Sequence, residues 1–220
     1  MGNASRSCSE SCRLASFFYE NVGLMCRHLP AFCYFCNHLT PCYSCAGMNT
    51  ISIQYLDTPC GKLLLGGYDG RLCLCDWASN RRRALTDARI CRALKAVYAE
   101  EPSAVTARAM EELREYFGGS RMAFDVPLLM LGTPFQRQVW QCLLTIPYGT
   151  TLSYAAEAAR MGRQSAVRAV ASANAANPIS ILVPCHRVVA SSGTLAGYAG
   201  GVEAKRRLLA LEQARLEGGR

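Results

Sequence analysis

The sequence predicts an α+β fold in two parts, a mixed α/β region followed by a mainly helical one, behind a cysteine-rich leader. Three observations carry this. Short apolar runs broken by turn residues fill 51–77, apolar residues recur at helical intervals from 89 to 117, and three helical segments, the last two separated only by Gly162-Arg163, lie between 133 and 176. With 220 residues and 50% apolar content the chain has ample material for a core.

Residues 1–47 hold seven of the 13 cysteines and show no sustained helical or strand period. Cys33-x-x-Cys36 and Cys42-x-x-Cys45 resemble halves of a zinc site, yet only five residues separate them, where a self-standing ribbon needs about 12–20. Two readings stand: a disordered or wrongly included leader, with Met48 as the true start, or a metal-binding extension. Residues 48–131 form the first expected domain. Ile51 to Leu56, Lys62 to Leu65 and Leu72 to Trp77 read as strands separated by Thr58-Pro59-Cys60-Gly61 and Gly66-Gly67-Tyr68-Asp69-Gly70. Helices are expected over Arg89 to Tyr98 and Val105 to Phe117, the second stopped by Gly118-Gly119.

Residues 132–220 form the second domain. Thr133-Pro134-Phe135-Gln136 offers a capping threonine, a proline in the first helical position and a glutamine that reaches back to the cap, so a helix runs to about Thr145. Ser153 to Met161 and Gln164 to about Ala176 follow, separated by Gly162-Arg163, which is helix-turn-helix spacing. The last of these is built almost entirely of small residues. Tight helix packing explains that composition by itself. Arg168 changes the reading, because a single long cation among Ala166, Ala169 and Ala171 is what a helix set into a nucleic-acid groove presents. Asn177-Pro178 ends the helix.

Charge supports a polyanionic partner. Residues 132–220 carry ten Lys and Arg against four Asp and Glu, whereas residues 48–131 carry 11 against ten. Such an excess favours phosphate neutralisation, although a solvated basic face has the same composition. No stretch reaches the roughly 18 apolar residues of a membrane span. Residues 1–30 lack the plan of a secretory signal, so a reducing, cytoplasmic setting with free thiols is expected.

The chemistry centres on Pro184-Cys185-His186-Arg187-Val188, at the end of the apolar run Ile179 to Val183. No other cysteine lies within forty residues of Cys185. A thiol of ordinary pKa near 8.5 is only a few per cent ionised at neutral pH, so a nucleophilic role needs a base. His186 serves through a bridging water, since adjacent side chains project apart. Glu212, in the amphipathic helix Val202 to Gln213, is the best downstream carboxylate to orient the imidazole, although by itself it reads as an exposed helix residue.

These residues resemble the O6-alkylguanine-DNA alkyltransferases, also called methylated-DNA–protein-cysteine methyltransferases, of the bacterial constitutive type. The likeness runs from about Gly132 to Glu212. It rests on Pro184-Cys185-His186-Arg187-Val188, Asn177-Pro178 before it and Gly197-Tyr198-Ala199-Gly200-Gly201 after it. A weaker likeness covers Ile51 to Arg121. The resemblance implies a ribonuclease-H-like N-terminal domain and a winged-helix-like C-terminal domain with the helix-turn-helix. It implies that Cys185 takes an alkyl group from O6 of guanine or O4 of thymine in double-stranded DNA, once per molecule. No cofactor and no metal are implied, and the protein is expected to be a monomer without membrane attachment. The modified base leaves the stack to reach the thiol. Arg168 fills the vacated space, while Ala166, Ala169, Ala171 and Ser191 lie against the DNA.

By the same resemblance His186 and Glu212 keep the sulfur ionised, and Tyr154 donates a proton or hydrogen bond to the leaving base. Asn177 is the hinge, Tyr198 the pocket aromatic, and backbone groups of Val183, Cys185 and Ala199 read the base edge. Two departures matter. The zinc positions of some animal members fall on Asn49, Tyr68 and Cys73, and the pocket serine of those members is Ala199, which allows a broader alkyl range. Two other classes explain part of the pattern: a non-catalytic lesion-binding protein, which has no use for the thiol, and a cysteine hydrolase, which has no use for Arg168.

Overall fold

The computed structural model describes residues 49–195 and 197–218, so the leader and its cysteine pairs lie outside the described residues. A four-stranded sheet opens the fold: β1 (Asn49–Thr58), β2 (Gly61–Tyr68) and β3 (Arg71–Trp77) pair antiparallel in sequence. Helix α1 (Arg83–Leu94) then leads to β4 (Ala96–Glu100), which lies parallel to β1, giving the order β3-β2-β1-β4. The helix expected over residues 89–98 is therefore displaced. Lys95 adopts a left-handed conformation (φ 48°) that ends α1, and Ala96-Val97-Tyr98 spend their apolar side chains on a strand.

Strand alternation sends Leu63 and Leu65 to one face of the sheet and Leu64 to the other. A bulge at Cys73, where Gly66 pairs with Leu74 but Gly67 with Leu72, changes the parity of β3. Cys75 and Trp77 consequently face the same side as Leu65. That side carries α2 (Ala104–Phe117), which packs so closely that a Cβ on Gly67 would sit 2.6 Å from Val105. The opposite face is closed by Ile90 of α1 with Ile51, Ile53 and Leu74.

The helical part comprises α3 (Pro134–Leu144), the short strand β5 (Leu152–Ser153), α4 (Tyr154–Arg160), α5 (Val167–Ala175), β6 (Val188–Val189) and α6 (Gly201–Gly218). The capping box at α3 forms as read: the Gln136 amide donates to Thr133 Oγ1 at 3.2 Å and the Thr133 amide to Gln136 Oε1 at 2.9 Å. Gln164–Ala166 is a 3₁₀ turn ahead of α5. One continuous core joins Leu65 and Trp77 of the sheet to Trp140, Val170, Ile181 and Leu208. No helix among the described residues is long and apolar enough to cross a membrane.

Candidate active site

The outer edge of β3 positions the thiol. Cys75 donates its amide to Pro178 O at 2.9 Å and accepts from the Ser180 amide at 2.6 Å, so the segment after α5 is stitched onto the sheet. Further along the same edge, Leu72 exchanges hydrogen bonds with Pro127 O and the Leu129 amide, both at 2.8 Å. Beyond Ser180 the chain turns sharply through Ile181, which is fully buried with φ 72°. A β-branched residue seldom occupies that region, and the strain is about 1–3 kcal/mol. The turn delivers Cys185 into a 3₁₀ turn over Cys185–Arg187, where it is only 7% exposed.

Asn177 is the pivot. Its Nδ2 donates to Val183 O at 2.9 Å and to Cys185 Sγ at 3.3 Å, while its Oδ1 accepts from the Ile179 amide at 3.0 Å. The Cys185 amide also donates to Val183 O at 2.8 Å, so both of these backbone groups, expected to read a base edge, are here engaged with one another. Burial pushes the Cys185 thiol up to about 11, against the lowering effects of the Asn177 hydrogen bond and the nearby Lys205 charge. Enclosure therefore favours the neutral thiol while the pocket is closed.

His186 and Glu212 meet inside the protein. His186 Nε2 lies 2.8 Å from Glu212 Oε1, and both side chains are fully buried. Burial holds the imidazole below its ordinary pKa despite the carboxylate. Burial alone raises Glu212, but the hydrogen bonds from His186 and Arg187 and the Arg187 charge outweigh it and bring the carboxyl down to about 2. A neutral imidazole therefore donates Nε2–H to a carboxylate, leaving Nδ1 as an acceptor, and Nδ1 has no hydrogen-bond partner among the described residues. Glu212 also accepts from Arg187 Nη2 at 3.0 Å, Tyr116 Oη at 2.8 Å and the Gly149 amide at 2.9 Å. Glu212 is no exposed helix residue.

Lys205 lies buried on α6, its Nζ donating to Val188 O at 2.6 Å and standing 6.0 Å from the centre of the Tyr154 ring. Burial raises the Tyr154 phenol above its ordinary value. Tyr198 packs edge-on against His186 at 6.4 Å and against Trp77 at 6.0 Å. Trp77 fixes the loop that carries Tyr198, since a Cβ on Gly200 would fall 2.6 Å from the indole. The sequence by itself assigns no role to Tyr116, Arg187 or Lys205. Arg187 had a signal, a cation inside an otherwise apolar motif, whereas Tyr116 and Lys205 are read only through tertiary contact.

The small-residue helix presents Arg168, Ala169, Ser172 and Ala175 to solvent and buries Val170, Ala173 and Asn174. Ala166 and Ala171 flank the exposed strip half-buried, and Ser191 lies exposed in the turn after β6. Between α4 and α5 sits a buried polar pair, Asn174 Nδ2 donating to Glu157 Oε2 at 2.6 Å. Helix packing and an open cationic strip therefore coexist on one short helix.

Fold and site together define a mixed α/β protein with an enclosed thiol in the segment that follows its small-residue helix. Comparison with known proteins agrees. Residues 134–214 match the family of the 6-O-methylguanine DNA methyltransferase DNA-binding domain. The methylated-DNA–protein-cysteine methyltransferase of Mycobacterium bovis is 41% identical over 169 residues, 75% of this chain and 94% of that protein. That of Mycolicibacterium paratuberculosis is 44% identical over 163 residues, 74% and 93%. The solved O6-methylguanine methyltransferase of Mycobacterium tuberculosis aligns with a TM-score of 0.64 at 39% identity, covering 75% of this chain and 94% of that one. A second Mycobacterium tuberculosis structure, in complex with DNA, gives 0.65 at 40% identity over 76% and 94%. The chain belongs to the methylated-DNA–protein-cysteine methyltransferase family.

Proposed function

We propose that this protein repairs alkylated DNA by direct reversal, Cys185 taking an alkyl group from O6 of guanine or O4 of thymine in a single irreversible transfer. The observation that carries this is one enclosed thiol that accepts from Asn177 and shares its 3₁₀ turn with His186, itself paired to Glu212, in the segment that follows a helix exposing Arg168. As the carbon–sulfur bond forms, the carbon–oxygen bond breaks and the base leaves with the electron pair. The thiol proton passes toward His186 Nδ1 through a bridging water, and the base regains a proton from Tyr154. The imidazolium proton of His186 then restores the Tyr154 phenol through solvent, so that the net transfer exchanges the alkyl group and one proton between base and sulfur. Because the resting thiol sits at about 11, proton removal belongs to the reaction itself and not to the waiting state.

Double-stranded DNA is the partner in this reading. Arg168 enters the stack as the base leaves, and Ala166, Ala169, Ala171 and Ser191 permit close approach to the groove. Tyr198 packs against the extruded base and Ala199 contributes backbone contacts. We assign residues 48–131 to a ribonuclease-H-like domain and residues 132–220 to a winged-helix-like one; the β5–β6 pair beside α4 supports the second assignment. The cysteines described, Cys60, Cys73, Cys75, Cys91, Cys142 and Cys185, are all free, in keeping with a reducing compartment such as the cytoplasm. A lesion-binding protein without transfer is not favoured, because nothing in that role uses Cys185.

Incubation with a duplex containing O6-methylguanine should add one methyl mass to the Cys185 peptide. Cys185→Ala should abolish transfer yet still bind DNA. A methyl group found on another residue would refute the assignment. Arg168→Ala should slow transfer from duplex much more than from the free modified base, because only the duplex requires extrusion.

A further inference from the structure

The last carbonyls of an α-helix have no partner within the helix, and a cation placed there is favourable. Helix α5 has no basic residue in its own last turn and ends at Ala176 without a glycine. Besides the local amides of Ala176 and Asn177, which reach Ala173 O and Asn174 O, two of its exit carbonyls are held from outside. Trp140 of α3, fully buried, donates Nε1–H to Ala173 O at 2.9 Å. Arg89 of α1, distant in sequence, donates Nη2–H to Ala176 O at 2.8 Å and lays its guanidinium 5.6 Å from the centre of the Trp140 ring. Ala176 immediately precedes Asn177, whose amide reaches Cys185 Sγ at 3.3 Å. A continuous line of contacts thus runs from the first half of the chain, through the exit of α5, to the sulfur.

We propose that Arg89 is a positioning residue for the transfer, fixing the exit of α5 in register with the hinge that holds the thiol. The inference rests on the function proposed above. A helix gripping the groove and a sulfur receiving the base act together only when their separation is constant, and a misplacement of about 1 Å costs on the order of a hundredfold in rate. A planar guanidinium can bond the carbonyl and stack on the indole at once, which an ammonium cannot. Arg89 lies on the sheet-side helix and not on the exposed strip of α5, so its effect should fall on transfer and not on DNA affinity.

The test separates those two quantities. DNA affinity is measured for Cys185→Ala with and without Arg89→Ala, and the limiting transfer rate at saturating methylated duplex for the wild type, Arg89→Ala and Arg89→Lys. Expected are affinities within about twofold, a limiting rate at least about tenfold lower in Arg89→Ala, and partial recovery in Arg89→Lys. Thermal melting reports whether each variant folds. Should Arg89→Ala fail to fold, Arg89→Lys alone should still transfer several-fold more slowly at unchanged affinity. Rates equal to wild type, or rate and affinity falling together, would overturn the proposal. A wild-type protein that never accepts the methyl group sinks the function itself and is recognised by the absence of any Cys185 adduct.

Discussion

Replacing Glu157 by glutamine should stabilise the protein at alkaline pH and leave it nearly unchanged in mild acid. Glu157 is fully buried between α4 and α5, and burial pushes its carboxyl from 4.5 up to about 7 despite the hydrogen bond from Asn174. Its Oε1 and the Asn174 Oδ1 both lack partners among the described residues, an arrangement that a protonated Oε1 would satisfy by donating to the amide oxygen. The folded state therefore holds the proton more tightly than the unfolded chain. Stability contributed by the neutral form is complete below about 4.5 and is lost as pH rises through about 7. At about 1.4 kcal/mol per pH unit that loss is about 3 kcal/mol.

Glutamine reproduces both hydrogen bonds without a titrating proton. Urea or thermal denaturation of wild type and Glu157→Gln from about pH 5 to pH 8.5 cancels every other titration in the difference. At about pH 8 the variant should melt roughly 6–12 °C higher, and the gap should shrink to about a quarter of that at pH 5. A constant difference across the range, or a variant less stable at pH 8, would show that Glu157 does not carry a proton in the core.

Glu212→Gln should cost about 3–5 kcal/mol, because Arg187 loses its carboxylate while buried, and should slow transfer as His186 loses its acceptor. Denaturant midpoints and single-turnover rates report the two effects, and a stability loss under about 1 kcal/mol contradicts the buried-pair reading. Cys185, raised to about 11, should react with iodoacetamide about tenfold faster for each pH unit between 7 and 9. Peptide mapping would follow that reaction, and a rate independent of pH would mean that the thiol is already ionised.

Much of this architecture was legible because local chemistry and tertiary structure agree. Thr133, Pro134 and Gln136 start a helix by bonds made within four residues, so no distant contact is needed to read them. Leu63 to Leu65 alternate faces as a strand must. Ala96 to Tyr98 were misplaced for the opposite reason: their apolar pattern suits a helix or a strand, and pairing with β1 decides. At the site, Cys185 and Asn177 stand out by residue type, and Glu212 was found only as the partner His186 needs. Its burial, the roles of Tyr116 and Lys205, and the neutral resting thiol arise from elements far apart in the chain, which no local pattern records.

The stitching along β3 also bears on how copies of this chain treat one another. Residues 127–129 and 178–180 occupy backbone groups that an outermost strand would otherwise offer to a stranger. At the far side of the sheet β4 has only five residues and finishes at Glu100, followed by Glu101, so like charges meet any approaching twin. Neither margin invites strand-to-strand aggregation, and the protein should remain dispersed while it waits for damage.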